Sequence, residues 1–170
     1  PATDRGHRQV KRADGSVIRR RAEELRIPLA DAILHSLRAT AATRGAIPTI
    51  LAVCPISDAV VKAALRSARE ASAPLFLTAT LNQIDTDGGY TGWTPEQFVQ
   101  YVRDLAVELD YEGPIVMGLD HGGPWQKDLH TREAWSLEKA WEGVKKSLIA
   151  CLYAGYDVLH IDPTIDRSLR

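Results

Sequence analysis

Ile115-Val116-Met117-Gly118-Leu119-Asp120-His121-Gly122-Gly123-Pro124 is the stretch on which the fold turns. Its first half is apolar, without the every-second-residue polarity of a half-solvated strand. Such a run describes a strand covered on both faces, as parallel sheets require. Gly113-Pro114 bounds it in front, and a polar, glycine-rich turn follows at once.

The same pattern recurs outward in both directions. Thr49 to Cys54 and Leu75 to Ala79 precede it as short apolar runs, and Val158 to Ile161 follows it. Helices are predicted between them. Ser57 opens Val60, Val61, Ala64, Leu65 and Ala68 at helical spacing. Thr94, Pro95 and Gln97 supply an N-cap, a first-turn proline and the far side of a capping box ahead of Phe98, Val102, Leu105 and Leu109. Leu137, Ala140, Trp141, Val144, Leu148 and Leu152 mark a third helix that ends before Gly155. Upstream, Arg21 to Gly45 predicts one amphipathic helix, with Pro28 near its start, Leu29, Ile33 and Leu37 on one stripe, and Gly45 as its stop.

Strands alternating with helices in this way make an α/β protein with right-handed crossovers. No Gly-x-Gly-x-x-Gly follows the first strand and no Gly-x-x-x-x-Gly-Lys-Ser/Thr occurs, which argues against a nucleotide-binding open sheet or a kinase. Polar residues collect instead behind the strands, at Cys54-Pro55-Ile56-Ser57, Thr80-Leu81-Asn82-Gln83, Asp120-His121-Gly122-Gly123 and Asp162-Pro163-Thr164. The expected architecture is a (β/α)8 TIM barrel, of which residues 46–170 supply the first half and residues 1–45 a basic arm and helix. A whole barrel takes eight βα units and about 250 residues. The other half is therefore expected from another chain, from a segment lost by cleavage or from a second copy, because a lone half barrel leaves two strand edges open.

Composition narrows the function. The 170 residues are 45% hydrophobic and 25% charged, with a formal net charge of -1. That is ordinary for one globular domain, and it provides no positive field to hold nucleic acid. The longest apolar runs, around 47–53 and 149–153, fall well short of the roughly 20 residues of a membrane span. Cys54, in a predicted strand, and Cys151, in a predicted helix, read as buried thiols of a reducing compartment, the cytoplasm. Arg5, Arg8, Lys11, Arg12, Arg19 and Arg20 occur with no apolar segment behind them, so no signal peptide is expected and the arm reads as solvated.

Several residue sets could carry chemistry. Asn82-Gln83, followed by the glycines of the 88–92 turn, places amide side chains and open backbone N–H groups where sugar hydroxyls or a phosphate could be bound; a long ordered loop with glycines for turn geometry fits equally. Asp120-His121 at a strand end could offer a proton-transferring carboxylate and a metal-binding imidazole, or could simply be a hydrogen-bonded turn. Asp162 at the fourth strand end is expected at the substrate or behind a ligand, whereas His160, deeper in the strand, reads as a core histidine. Trp125 and Trp135 could stack on a sugar, Trp141 reads as core, and His35 and His130 as surface. No lysine lies in a predicted strand, so Schiff-base chemistry is not expected.

Taken together, Asn82-Gln83, Gly88-Gly89-Tyr90-Thr91-Gly92, Thr94-Pro95, Gly118-Leu119-Asp120-His121-Gly122-Gly123-Pro124 and His160-Ile161-Asp162 resemble, in this order, the non-catalytic (Z-type) subunit of class II D-tagatose-bisphosphate aldolase. Pro163-Thr164 departs from the small residues usual there. The resemblance implies a TIM barrel about twice this length. It also implies a sugar-phosphate substrate, a catalytic aldolase partner that this subunit stabilises, and oligomeric assembly. Within the class II group, Asp120 would be catalytic and His121 a zinc ligand, with the remaining ligands, in this reading, coming from strands outside this chain; Asn82, Gln83 and Asp162 would bind substrate. The alternative is a zinc-dependent epimerase or aldolase acting on ketohexose phosphates or hexuronates.

Overall fold

The computed structural model describes residues 15–45 and 48–167. The expected basic residues Arg5, Arg8, Lys11 and Arg12 lie outside them. In chain order the elements are α1 (Gly15–Leu25), α2 (Leu29–Arg44), β1 (Leu51–Val53), α3 (Asp58–Ala71), β2 (Leu75–Thr80), α4 (Pro95–Glu108), β3 (Ile115–Asp120), α5 (Asp128–Arg132), α6 (Leu137–Ala154) and β4 (Val158–Leu159). The strands form one parallel sheet in the order β1-β2-β3-β4. Consecutive strands are thus spatial neighbours, the order a barrel uses and not the reversed order of a doubly wound sheet.

Local signals place the helices. The Ser57 hydroxyl accepts the Val60 N–H at 3.4 Å to cap α3. Thr94 and Gln97 form the reciprocal capping box of α4, with Pro95 in its first turn. Gly155, at φ +89°, stops α6. The single N-terminal helix expected over 21–45 is instead two helices, and Arg19 and Arg20 belong to α1, not to a loose arm. Pro28 explains the break. It N-caps α2, and residues ahead of a proline are disfavoured in α conformation, while Arg26 turns through φ +52°.

Alternation along the strands sorts side chains into two cores. Leu75, Leu77 and Ala79 of β2, Met117 and Leu119 of β3 and Leu159 of β4 pack with Val61, Leu65, Phe98, Val102 and Val144 of the outer helices. On the opposite face Phe76, Val116 and Val158 meet Leu29 and Ile33 of α2 and Ile18 of α1. That opposite face, followed toward the strands' carboxyl ends, leads through Thr78 and Gly118 to Thr80 and Asp120, which are register partners. Gly118 is required there, because a Cβ would stand 2.5 Å from the Phe76 ring.

Strand β4 is shorter than expected, and Cys54, expected in β1, lies exposed beyond its end; Cys151 is buried as read. The backbone pairing nevertheless continues past β4. His160 donates its N–H to Leu119 O at 2.9 Å, and its carbonyl accepts the Gly122 N–H at 2.9 Å. The turn after β3 thereby replaces strand as the partner of residues 160–162.

Candidate functional site

Asp120, the last residue of β3, and His121, the first of the turn, stand beside His160 because β3 and β4 pair Leu119 with Leu159. One donor atom from each of these three residues lies within 4.8 Å of the others. His160 Nδ1 is 2.8 Å from Asp120 Oδ1, which also accepts the His121 N–H at 3.0 Å; His121 Nε2 lies 3.6 Å from Asp120 Oδ2. His160, read from sequence as a core residue, is therefore an exposed member of the cluster. Its misplacement came from treating residue 160 as strand interior when the strand already ends at Leu159.

Behind His121 stands Asp162. His121 Nδ1 and Asp162 Oδ2 are 2.7 Å apart, and the Asp162 side chain is only 5% exposed. Its other oxygen accepts the Thr164 hydroxyl at 2.5 Å and the Thr164 N–H at 3.0 Å. Gln126 Nε2 donates to Oδ2 at 2.7 Å. The Thr164 hydroxyl first, then His121 and the Thr164 N–H, hold the Asp162 carboxyl down to about 2. The proton in its bond to His121 therefore belongs to Nδ1, which leaves the Nε2 lone pair open. The same bond raises the His121 pKa against the opposing effect of burial, with the charge of Asp120 adding to it. Thr164, the departure from the resembled family, is thus one of the groups that fix Asp162.

His121 reaches this position through a backbone turned to φ +54°, uncommon for a residue with a side chain. The two glycines after it let the turn lie against residues 160–162. A Cβ on Gly122 would stand 2.8 Å from His160 O, and one on Gly123 would overlap Asp162 O.

Two imidazoles and one carboxylate are nitrogen and oxygen donors suited to zinc and similar divalent ions. A histidine whose far nitrogen is held by a carboxylate is the usual support for such a ligand. The donor set therefore fits a catalytic metal site with positions left open for substrate. The sequence reading, in which every ligand besides His121 came from elsewhere, is corrected in one respect: His160 offers a second imidazole within this chain.

Asn82 and Gln83 are placed by the protein itself. Asn82 Nδ2 donates to Gln126 O and to Asp128 Oδ1, both at 3.3 Å, and its Oδ1 accepts the Asp128 N–H at 2.9 Å. Gln83 is buried and accepts the Thr80 N–H at 2.8 Å. Asn82 clasps the loop after β2 to the loop after β3, whereas Gln83 braces its own loop against the end of β2. Lys127 adds to the clasp, with Asp85 at 2.5 Å and Asp87 at 2.8 Å. Burial alone would lower the Lys127 pKa, but hydrogen bonds and charge from Asp85 and Asp87 outweigh it and raise the value. A lysine so held is no Schiff-base nucleophile.

His130 and Trp125 differ from their sequence reading. His130 is buried, accepts the Trp125 N–H on Nδ1 at 3.2 Å and stacks on Trp135 at 4.6 Å. Trp125 is itself buried and donates its indole N–H to Trp135 O at 3.0 Å. His35 is exposed and Trp141 packs against the core, as expected.

A parallel α/β sheet with a histidine and carboxylate donor set at its carboxyl end defines the class: a barrel-related α/β protein with a metal-type site. The chain belongs to the D-tagatose-1,6-bisphosphate aldolase subunit GatZ/KbaZ-like family, whose model matches residues 34–168. It is 34% identical over 139 residues to a D-tagatose 6-phosphate 4-epimerase of Agrobacterium fabrum, an alignment covering 79% of this chain and 30% of that relative. Among solved structures it resembles a probable tagatose 6 phosphate kinase from Sinorhizobium meliloti, with TM-score 0.59, 30% identity, and coverage of 72% of this chain and 31% of that one. The chain therefore spans less than a third of the length of these relatives. Among the described residues no helix is long and apolar enough to cross a membrane.

Proposed function

We propose that residues 46–170 form half of a (β/α)8 barrel whose mouth binds a divalent cation, zinc by donor type, and that the assembled barrel is an epimerase acting on a phosphorylated ketohexose. The carrying observation is the meeting of Asp120, His121 and His160 at two neighbouring strand ends, with His121 already oriented by Asp162. A relative named as a tagatose 6-phosphate epimerase supports the substrate class. Residues 15–45 are an appendage of this half barrel, tied to the sheet through Leu29 and Ile33.

When bound, the cation supplies polarisation of the ketose carbonyl. His121 and His160 would hold it. Asp120, with Oδ1 fixed by His160 and by the His121 N–H, would take the proton of the hydroxyl on the carbon to be inverted as the carbon–carbon bond beside it breaks, and return it once that bond has re-formed on the other face. Asn82 and Gln83 serve the substrate indirectly by fixing the rim loops. Exposed apolar residues at both sheet edges, Leu51 in β1 and Ile161 just beyond β4, support completion of the barrel by further βα units or a partner chain. The free thiols Cys54 and Cys151 support a cytoplasmic setting.

Calorimetric titration with zinc tests the site. One equivalent should bind, and His121→Ala and His160→Ala should each weaken it at least about tenfold. The assembled barrel should then epimerise tagatose 6-phosphate. The second reading, a stabilising subunit for a catalytic aldolase partner, is favoured by the family's description as an aldolase subunit. It predicts no zinc binding and no turnover, but a gain in the activity of an added partner aldolase.

A further inference from the structure

We infer that Gln126 is a positioning residue: its side-chain amide locks the Asp162 carboxylate, and through it the His121 imidazole, so that the loop after β2 governs the metal-type site. The consequence for metal binding rests on the reading above; the positioning itself does not.

Asp162 has two oxygens, and Thr164 secures only one of them. The oxygen that faces His121 also accepts from Gln126 Nε2 at 2.7 Å, an amide that reaches the Thr164 hydroxyl at 3.3 Å as well. Removing that amide leaves the carboxylate free to rotate about its Thr164 side. The His121 bond then loses its fixed direction.

Gln126 is in turn anchored on both flanks. Its carbonyl accepts from Asn82, the next residue is the buried Lys127 paired with Asp85 and Asp87, and Asp128 is bonded to Asn82 on backbone and side chain. Its Cγ lies over Gly123, where a Cβ would stand 3.4 Å away. A continuous path of contacts thus runs from Asn82 through Gln126 and Asp162 to His121. Its links are the hydrogen bonds Asn82 to Gln126 O, Gln126 Nε2 to Asp162 and Asp162 to His121, and such linked polar groups act together more than singly. Nothing in the residue types at 126 advertises this role, because glutamine in a loop is ordinary.

The test uses two variants. Gln126→Leu removes the amide at similar volume, and Gln126→Asn keeps an amide too short to reach Asp162. Ring-nitrogen spectra of histidine are recorded on the metal-free chain at pH about 9, above the ordinary histidine range. The parent should show His121 as one tautomer, protonated on Nδ1, and both variants should show exchange-averaged ring nitrogens. Cobalt(II) affinity should fall about tenfold in both, the scale of losses behind a metal-ligating histidine. In an Asp162→Ala background the same substitutions should cause no further loss. Unchanged His121 ring nitrogens in both variants, or an additive loss in the Asp162→Ala background, overturns the inference. A parent chain that binds no cobalt while its His121 spectrum still responds to Gln126 would sink the metal reading alone.

Discussion

Gly123 and Asp162 are in backbone contact: a Cβ at residue 123 would overlap the carbonyl oxygen of residue 162. The glycine is needed for space, since its φ is not in the left-handed region. By this contact the turn after β3 settles against the chain beyond β4, which brings His121 to the Asp162 carboxylate.

Gly123→Ala should therefore separate the two segments. Overpacking of this kind costs about 1–3 kcal/mol. The expected outcome is a lower melting temperature together with loss of the His121 Nδ1–H signal. A variant that retains both would show that the turn can shift without disturbing the site.

Lys127→Met should destabilise far more than a surface substitution. It leaves the Asp85 side chain, 4% exposed, buried without its cation. Breaking a buried pair from one side costs about 3–5 kcal/mol. Urea unfolding should report this loss, and a further Asp85→Leu change should recover much of it by removing the stranded charge.

Stability should decline on acidification in a way that depends on His130. Burial first, and then the charge of Lys127, lower its pKa. The unfolded imidazole, near 6.5, binds its proton before the folded one does. The unfolded state therefore carries more protons as pH falls below about 6.5, and stability is lost through the folded value. The slope from one such group is at most about 1.4 kcal/mol per pH unit. His130→Gln, which can still accept the Trp125 N–H, should flatten the unfolding free energy between pH about 7 and about 5 relative to the parent. Equal slopes for the two proteins would contradict a neutral, buried His130.

The alternation of strands and helices is legible in the amino-acid chain alone, because each signal is local. Ser57 and the Thr94–Gln97 pair satisfy backbone N–H groups within one turn, Gly155 supplies a left-handed stop, and an apolar run such as Leu75 to Ala79 needs cover on both faces. The chain alone also placed Asp120 and His121 at a strand end, since the run before them stops there. Only the tertiary structure decided that His160 joins them, that Asp162 orients His121, and that Asn82 and Lys127 hold the loop carrying Gln126. These partners lie some forty residues apart in the chain, at separations of 40 for His160–Asp120 and 41 for His121–Asp162. Such pairings depend on strand register, which is fixed by how helices and strands pack across the two cores. A one-residue slip of β4 would send both side chains to the opposite face.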